Sequence, residues 1–405
     1  MDPNLTPPVV VCSLYYKPFV GGVESSLYYI SQALKSMDEK VVIWTSDRTP
    51  SGKRAKSGFE DGVQIKRFYH PPIWFSIFTP ICLILSLLRA LYKDHFDRNQ
   101  EVICRNHIMA VGFLLYGVRK VVYVVPSLAS QIDTEVSSVA SLKERFRAYI
   151  VRFGMISQHI IIQNIAIKKV PQLVVFSDTM FRQVIKVASN HKVSMLLPGV
   201  DHARYHRSLN IRKSLRSSLF LDPNFVFLCM GRMVPQKQYH DVVEAVSLLP
   251  ELIKHKIKIL IVGSGPEKAA LIRLIQDKEV NNCFEICEAT DKPEMFYAAS
   301  DCFLMTSRFE PFGQTVTESL ASSLPVIAYK SEMSASSEIV EDGLTGLLCP
   351  MNPSDLAACM TRIVMMKESD YNTMQKRCVV ATNRYSWHEF SKSVLALLRK
   401  DSIQV

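Results

Sequence analysis

The chain has 405 residues, which is too long for one ordinary domain and suits two. Hydrophobic residues make up 48% of the sequence, enough for large cores, and the 15 glycines and 20 prolines indicate compact loops rather than low complexity. The formal charge of +10 favours anionic partners such as nucleotide diphosphates, lipid pyrophosphates or acidic headgroups. Nucleic acid ranks last, because no RNA- or DNA-binding motif accompanies the charge.

The ten cysteines are scattered along the chain and form no metal-like cluster with histidine. Several of them, such as Cys12, Cys104 and Cys229, fall in strand-like apolar runs, which favours free buried thiols in a reducing compartment. The amino terminus, from Met1 to Asn4, lacks the basic region and apolar core of a signal peptide. We therefore expect a cytoplasmic protein.

The first half of the chain alternates strand-like runs with segments of helical spacing. The predicted strands are 9–13, 41–45, 63–68, 102–104, 121–125, 173–177 and 193–197. Gly21 and Gly22 follow the first strand and precede a helix, so the backbone there can approach a diphosphate or a sugar ring closely. A tight turn alone explains the same pair of glycines.

His107 follows the strand 102–104, at the carboxyl edge of the predicted sheet. Ligands of open α/β sheets bind at this edge, which makes His107 a candidate active-site residue. A purely structural histidine is the alternative.

A long apolar stretch at 73–91 approaches the length of a membrane span, about 20 residues. Pro80 and Arg89 interrupt it, so we favour a helix packed on the sheet, with Trp74, Phe75 and Phe78 as candidates for a membrane surface. A core helix without membrane contact and a true span are the alternatives.

A basic helical region follows the strand at 121–125 and contains Lys143, Arg145, Arg147 and Arg152, with Lys168 and Lys169 beyond. Basic residues among apolar ones suit an anionic membrane surface or a pyrophosphate-bearing acceptor. A solvated helix face is the alternative interpretation.

In the second half, the strand 225–230 leads into Arg232 and Lys237, just before a helix. A guanidinium fork and an ammonium at a strand end are suited to clamp a diphosphate, although chance exposure of two cations is the alternative. The strand 258–262 is followed by Gly263 in a short Gly-x-Gly turn, which is weak evidence by itself.

The strand 302–305 precedes Glu310 and Gly313, and an amphipathic segment at 314–322 follows them. The helix amino terminus at Gly313, Gln314 and Thr315 offers free N–H groups to a phosphate. Two carboxylates beside an anion site, Glu310 and Glu318, make sense as acceptors of sugar and ribose hydroxyls. Surface glutamates flanking a helix start are the alternative.

Residues 307–318, Ser-Arg-Phe-Glu-Pro-Phe-Gly-Gln-Thr-Val-Thr-Glu, are followed by Ser-Leu-Pro-Val-Ile-Ala at 323–328. Together they resemble the Glu-x7-Glu signature of retaining GT-B glycosyltransferases of family four. The resemblance implies that Glu310 binds hydroxyls of the donor sugar and that Glu318 binds the ribose of the nucleotide.

Further motifs resemble this family. Arg232 and Lys237 match an element that binds the donor diphosphate, and His107 matches a histidine beside the donor sugar. Gly21 and Gly22 match the loop after the first strand, while Gly263 borders the nucleotide pocket by the same resemblance.

The chain departs from the family pattern at Gln238 and Ser323, where glycine is usual, and at 334–336, where Ser-Ala-Ser replaces a glycine-rich opening. These departures leave the local backbone geometry and the donor sugar open.

The resemblance implies an α/β protein with the GT-B fold, in which two Rossmann-like domains face a cleft. We predict an acceptor-binding domain at 1–198 and a nucleotide-sugar-binding domain at 199–384. Residues 385–405 are predicted to form a helix that crosses back to the first domain, and the basic segment 202–216 is predicted to be the connector.

The predicted function is a retaining, metal-independent sugar transfer from a nucleotide-diphosphate sugar to a hydroxyl acceptor, with no cofactor. The expected acceptor is a lipid-linked or cell-envelope glycan, which makes the cytoplasmic face of an anionic membrane a candidate location. Transfer to a soluble acceptor, a sugar-nucleotide epimerase and a non-catalytic nucleotide-sugar-binding scaffold are the alternatives. The nucleobase, the sugar, the linkage and the oligomeric state are not predicted.

Overall fold

A computed structural model describes residues 7–19, 21–72, 78–131, 142–188 and 192–400, without the side chains of 131, 142–153, 155 and 192. The chain divides into two compact units. The first comprises Met1–Gly199 with Ser386–Val405, and the second comprises Val200–Tyr385. The prediction that one domain binds the acceptor and the other the nucleotide sugar stays a prediction.

The first unit is built on a sheet of eight described strands in the order β3-β4-β2-β1-β5-β6-β7-β8. The strands are β1 (Val9–Cys12), β2 (Val41–Ser46), β3 (Gly58–Glu60), β4 (Val63–Phe68), β5 (Val102–Cys104), β6 (Val121–Val124), β7 (Gln172–Val175) and β8 (Lys192–Met195). β3 pairs antiparallel with β4, and the other strand pairs are parallel. The central strands read as continuous apolar runs because helices cover both faces of a parallel sheet.

Helices of the first unit connect successive strands and pack on the sheet. They are α1 (Gly22–Ser36), α2 (Thr79–Lys93), α3 (His107–Tyr116), α4 (Leu142–Lys169), α5 (Asp178–Ile185) and, from the end of the chain, α15 (Trp387–Arg399). α2, α3 and α4 contribute buried residues to one hydrophobic cluster on the sheet.

The carboxyl-terminal helix α15 packs against α1 within the first unit. The Trp387 ring stacks on Tyr29 with centroids 5.6 Å apart, and Arg399 pairs with Glu39 at 2.8 Å. Gly199 lies directly under this helix, because a Cβ on it would fall 2.1 Å from the Trp387 backbone nitrogen. The end of the chain therefore belongs to the first unit.

The second unit contains a parallel sheet of six described strands in the order β11-β10-β9-β12-β13-β14. The strands are β9 (Phe225–Met230), β10 (Ile257–Val262), β11 (Phe284–Cys287), β12 (Cys302–Met305), β13 (Val326–Tyr329) and β14 (Gly346–Cys349). The helices are α6 (Leu209–Ser218), α7 (Tyr239–Leu248), α8 (Glu251–Lys254), α9 (Lys268–Asp277), α10 (Pro293–Ala299), α11 (Gln314–Ala321), α12 (Ser336–Ile339), α13 (Pro353–Val364) and α14 (Glu368–Ala381).

The basic segment 202–216 is not a free connector, and that expectation is wrong. Its helix α6 packs on α10, and the buried Arg216 pairs with Asp301 at 3.1 Å and with Asp222 at 2.6 Å. Arg212 reaches the same Asp301 at 2.6 Å. Arg212 and Arg216 neutralise the buried carboxylate of Asp301, and sequence charge alone could not distinguish such buried arginines from solvent-exposed ones.

The predicted membrane candidates Trp74 and Phe75 lie outside the described residues, as do the side chains of Arg145, Arg147 and Arg152. Among the helices that the structure describes, none combines the length and hydrophobicity needed to cross a bilayer.

Candidate active site

Two glycines bring the ends of β9 and β10 together in the second unit. Gly231 and Gly263 have φ of 141° and 153°, a backbone region that favours glycine. A Cβ on Gly263 would lie 1.9 Å from the Gly231 carbonyl oxygen. Gly263 is therefore required for packing between the two strand ends, and Arg232 follows directly as an exposed side chain.

Lys237 ends a short 3₁₀ helix, Pro235–Lys237, after β9. The following residue, Gln238, has φ 49°, so glutamine adopts the left-handed backbone for which glycine is the usual choice. The Thr306 hydroxyl donates to the Lys237 carbonyl at 2.7 Å, and the Arg308 amide donates to the Gln236 carbonyl at 2.9 Å. These bonds join the loop after β9 to the loop after β12.

Lys237 and Glu310 form an ion pair with 2.8 Å between Nζ and Oε2. Their side chains are 15% and 17% exposed, so both charges are largely removed from water. The Glu310 backbone is fixed by bonds to Met333 at 3.2 Å and from Ala335 at 2.8 Å. An ammonium and a carboxylate are thus held side by side at the carboxyl edge of the sheet.

The helix α11 begins beside this ion pair. Its N-cap, Gly313, has φ 99°, and a Cβ there would lie 3.5 Å from Glu310 Cγ. Because the first amides of a helix lack partners within the helix, the first turn at Gln314 and Thr315 is an anion-binding element in principle. Gly313 caps the helix without a side chain, which leaves this end open to a ligand.

Glu318 lies one turn further along α11 and is partly buried. The Tyr297 hydroxyl donates to its Oε2 at 2.9 Å and lies 3.4 Å from the Thr315 carbonyl. Burial raises the pKa of Glu318 to about 7, and the hydroxyls of Tyr297 and Tyr205 act in the opposite direction. The carboxyl group therefore changes its charge near neutral pH.

The predicted residues of the second unit fall into two contact groups. Lys237, Glu310 and Gly313 are linked by direct contacts, and Thr315 and Glu318 are linked through Tyr297. Arg232 and Gly263 lie at the neighbouring strand ends of β9 and β10. The roles predicted for all these residues stay predictions.

Three predicted residues belong to the first unit. β1 and β5 are neighbours, so the helices that follow them, α1 and α3, begin at the same edge of the sheet. Gly21 is the N-cap of α1 and Gly22 its first residue, while His107 is the first residue of α3.

His107 is buried, and its Nε2 lies 2.8 Å from Nδ1 of His159 on α4. Burial, with a smaller contribution from His159, lowers the pKa of His107 to about 3, so the ring is neutral at physiological pH. One of its two nitrogens is already engaged within the first unit.

The sequence did not identify several residues that contact or lie beside the candidate site residues at the carboxyl edges of the two sheets. Buried Arg105 donates to the Ser26 hydroxyl at 3.0 Å beneath the start of α1, and burial lowers its pKa to about 10. Three further residues contact the predicted ones from elements that are distant in sequence: His159, Tyr205 and Tyr297. No local sequence pattern could identify them. One sequence feature could have pointed to Arg105, because a cation directly follows the apolar strand 102–104.

Comparison with known proteins defines the class. The chain superposes on sucrose-phosphate synthase from Thermosynechococcus elongatus with a TM-score of 0.80, at 16% identity, over 99% of this chain and 100% of that chain. With its two Rossmann-like units, the protein has the GT-B fold, and the predicted fold class is confirmed.

Part of the sequence matches a known family. Residues 210–379 match the model of glycosyl transferases group 1. Lipopolysaccharide core biosynthesis glycosyltransferase LpsE of Rhizobium meliloti (strain 1021) is 28% identical over 179 residues, which are 44% of this chain and 47% of LpsE. Alpha-monoglucosyldiacylglycerol synthase of Acholeplasma laidlawii is 22% identical over 93% of both chains. The match covers residues of the second unit, and the similarity to group 1 glycosyltransferases is shown for this segment.

Proposed function

We propose that the protein transfers a sugar, with retention of anomeric configuration and without a metal, from a nucleotide-diphosphate sugar to a hydroxyl acceptor. The observation that carries the proposal is the Lys237–Glu310 pair at the start of α11, with Glu318 one turn beyond. In this proposal Glu310 accepts hydrogen bonds from the donor sugar, and Glu318 accepts them from the ribose.

The diphosphate is the group whose charge changes in the reaction. As the bond between the anomeric carbon and the phosphate oxygen breaks, negative charge develops on the leaving diphosphate. Lys237, Arg232 and the first amides of α11 would stabilise that charge, and such preorganised donors usually contribute most to catalysis. Lys237 can contact a phosphate while keeping its bond to Glu310, because an ammonium has three donors.

Retention needs the acceptor to attack from the side that the leaving group departs from. We assign no side chain as a covalent nucleophile. The acceptor oxygen forms the new bond to the anomeric carbon, and its proton passes to the departing phosphate oxygen on the same face. His107, Gly21 and Gly22 are assigned to sugar and substrate binding at the edge of the first unit.

We propose a lipid-linked or other cell-envelope glycan as the acceptor. The names of the relatives support this, since one acts in lipopolysaccharide core biosynthesis and another makes a glucosylated diacylglycerol. Transfer to a soluble metabolite or protein is the second candidate, and it rests on the same donor site.

An apolar stripe on α2 supports contact with an anionic membrane. It recurs at helical spacing and consists of the N-cap residue Phe78 and of Ile81, Leu85 and Tyr92 within the helix, exposed by 59%, 47%, 59% and 58%. The exposed cations Arg89 and Lys93 lie on the same helix. An apolar helix face flanked by cations is suited to insert at the boundary between headgroups and acyl chains.

The neighbouring helix α4 continues this surface. α2, α3 and α4 share one face of the sheet, so their outer sides point the same way. On α4, Ile161 and Ile165 are exposed, and Lys168 and Lys169 follow them. We propose that this face docks the enzyme on the membrane that carries its acceptor.

A screen of nucleotide sugars for nucleoside diphosphate release tests the proposed activity. We expect release from one donor class to be accelerated by a lipid-linked acceptor and to persist in EDTA. Loss of release on chelation would contradict the metal-independent mechanism. Conversion of the donor into an epimer without any acceptor would identify the epimerase alternative, and binding without turnover would identify the scaffold.

A further inference from the structure

Glu318 is held by a tyrosine from a neighbouring helix. Tyr297 lies on α10, and its side chain is fully buried. Its hydroxyl donates to Glu318 Oε2 at 2.9 Å and lies 3.4 Å from the carbonyl oxygen of Thr315 in the first turn of α11. Tyr297 thus ties the carboxylate to the turn that begins the same helix.

A second tyrosine reaches the same carboxylate from the segment 200–208. Tyr205 is buried, its hydroxyl acts to lower the pKa of Glu318, and its ring meets Tyr297 edge-on with centroids 5.7 Å apart. The preceding residue, Arg204, pairs with Glu294 at 2.9 Å and donates to the Asp291 carbonyl at 2.5 Å. The segment that supplies Tyr205 is therefore anchored at the start of α10, by Glu294 in its first turn and by Asp291 just before it.

A glutamate side chain has three rotatable bonds, so a ligand that uses its carboxylate must otherwise immobilise it. Ordering one such side chain costs about 0.5–1.5 kcal/mol. The buried Tyr297 hydroxyl holds the carboxylate before any ligand arrives. The Tyr205 hydroxyl favours the charged form of Glu318, and both groups offset part of its desolvation.

We propose that Tyr297 and Tyr205 are positioning residues that hold the Glu318 carboxylate in the orientation that receives the ribose hydroxyls of a nucleotide. The inference rests on the proposed function, in which Glu318 is the ribose acceptor. It extends the nucleotide site to α10 and to the segment 200–208, neither of which carries a residue predicted to bind the donor.

The test compares Tyr297→Phe and Tyr205→Phe with Tyr371→Phe. Tyr371 is a matched control, because its hydroxyl donates to the Asp301 carbonyl at 2.7 Å, at the amino-terminal end of β12 and so at the opposite edge of the sheet. Binding of UDP, GDP and ADP to the full chain is measured by calorimetry, and the best wild-type ligand is used for the variants.

We expect Tyr297→Phe to weaken nucleotide binding roughly fivefold or more, since the lost bond is to a charged group. Tyr205→Phe should weaken it in the same direction, and Tyr371→Phe should leave it within about twofold. In a Glu318→Gln background the effect of Tyr297→Phe should largely vanish, because the two residues act through one contact.

A pH profile adds a readout that a purely structural role would not move. The charged and titratable groups acting on Glu318 include Tyr297 and Glu294 from α10, and Tyr205 and Arg204 from the segment 200–208. The Tyr297 hydroxyl lowers the pKa of Glu318, so its removal should move the loss of nucleotide binding on acidification to higher pH.

The outcomes separate the two proposals. If no nucleoside diphosphate binds the wild type, the proposed function fails and this inference falls with it. If the wild type binds but Tyr297→Phe binds equally well with the same pH profile, the positioning role alone is overturned. If Tyr297→Phe weakens nucleotide binding equally in the Glu318→Gln background, the positioning role is also overturned, because the effect then does not depend on Glu318.

Discussion

The Lys237 ammonium and the Glu310 carboxylate lie 2.8 Å apart although they are 73 positions apart in the sequence. Hydrogen bonds between the loops after β9 and β12 create this pair, and the start of α11 adjoins it. A cation and an anion held together at a helix amino terminus can bind two neighbouring groups of one ligand. The cation can bind a phosphate, and the anion can bind a sugar hydroxyl.

Removing the ammonium should slow the reaction. For Lys237→Ala we expect turnover to fall by about 10²–10³-fold, because one donor to the developing diphosphate charge is lost. Steady-state kinetics with the preferred nucleotide sugar would measure this. Lys278→Ala is the control, since Lys278 also pairs with a glutamate of the second unit, Glu244 at 2.6 Å. A Lys237→Ala rate equal to that of the control would remove Lys237 from the mechanism.

Substitutions of Glu310 and Glu318 should have different effects on turnover and on nucleotide binding. Glu310→Gln should abolish most turnover but leave binding of a nucleoside diphosphate nearly unchanged, because that ligand has no donor sugar. Glu318→Gln should weaken binding of the same nucleoside diphosphate. Parallel calorimetry and kinetics on both variants would check this, and identical behaviour of the two would contradict their separate assignments.

The raised pKa of Glu318 also predicts a pH-dependent stability. Between its unfolded pKa near 4.3 and its folded value of about 7, the folded state retains a proton that the unfolded state has lost. The free energy of unfolding should therefore fall as pH rises through this window, by roughly 1–3 kcal/mol.

Thermal unfolding from pH 4.5 to 8 would measure this effect, with Glu318→Gln as the comparison. The variant lacks the ionising group, so its Tm should decline less over the same range. Parallel Tm curves for the two proteins would show that the pKa of Glu318 is not raised on folding.

The exposed stripe on α2 predicts membrane binding. Ile81→Ser with Leu85→Ser should reduce flotation with vesicles that contain anionic lipid, because less apolar surface can insert. Leu252→Ser, at a residue that is 63% exposed on α8 of the second unit, is the matched control. Vesicle binding that is absent in the wild type, or unchanged in the double variant, would exclude this surface.

The sequence predicted the architecture because parallel strands buried on both faces leave long apolar runs. Strands β4, β9 and β12 have the predicted bounds. β3 was missed because it is a short edge strand of three residues, two of them exposed, whose pairing depends on β4. β14, at the edge of the other sheet, was not predicted.

The candidate site was only partly predictable. Lys237 and Glu310 were named from their residue types at strand ends and from family resemblance, but their contact depends on loops that no local pattern specifies. Tyr297 and His159 acquire partners across long sequence separations, so periodicity could not assign them. At Gln238 and Ser323 the backbone keeps the left-handed conformation of glycine, with φ of 49° and 61°, which explains how the chain departs from the motif without changing the turn.

A crystal structure with the preferred nucleotide sugar would test the central claim most directly. The account predicts diphosphate oxygens about 3 Å from Lys237 Nζ and the first amides of α11, with sugar hydroxyls on Glu310 and ribose hydroxyls on Glu318. A donor bound elsewhere, with the Lys237–Glu310 pair and Glu318 untouched, would contradict it.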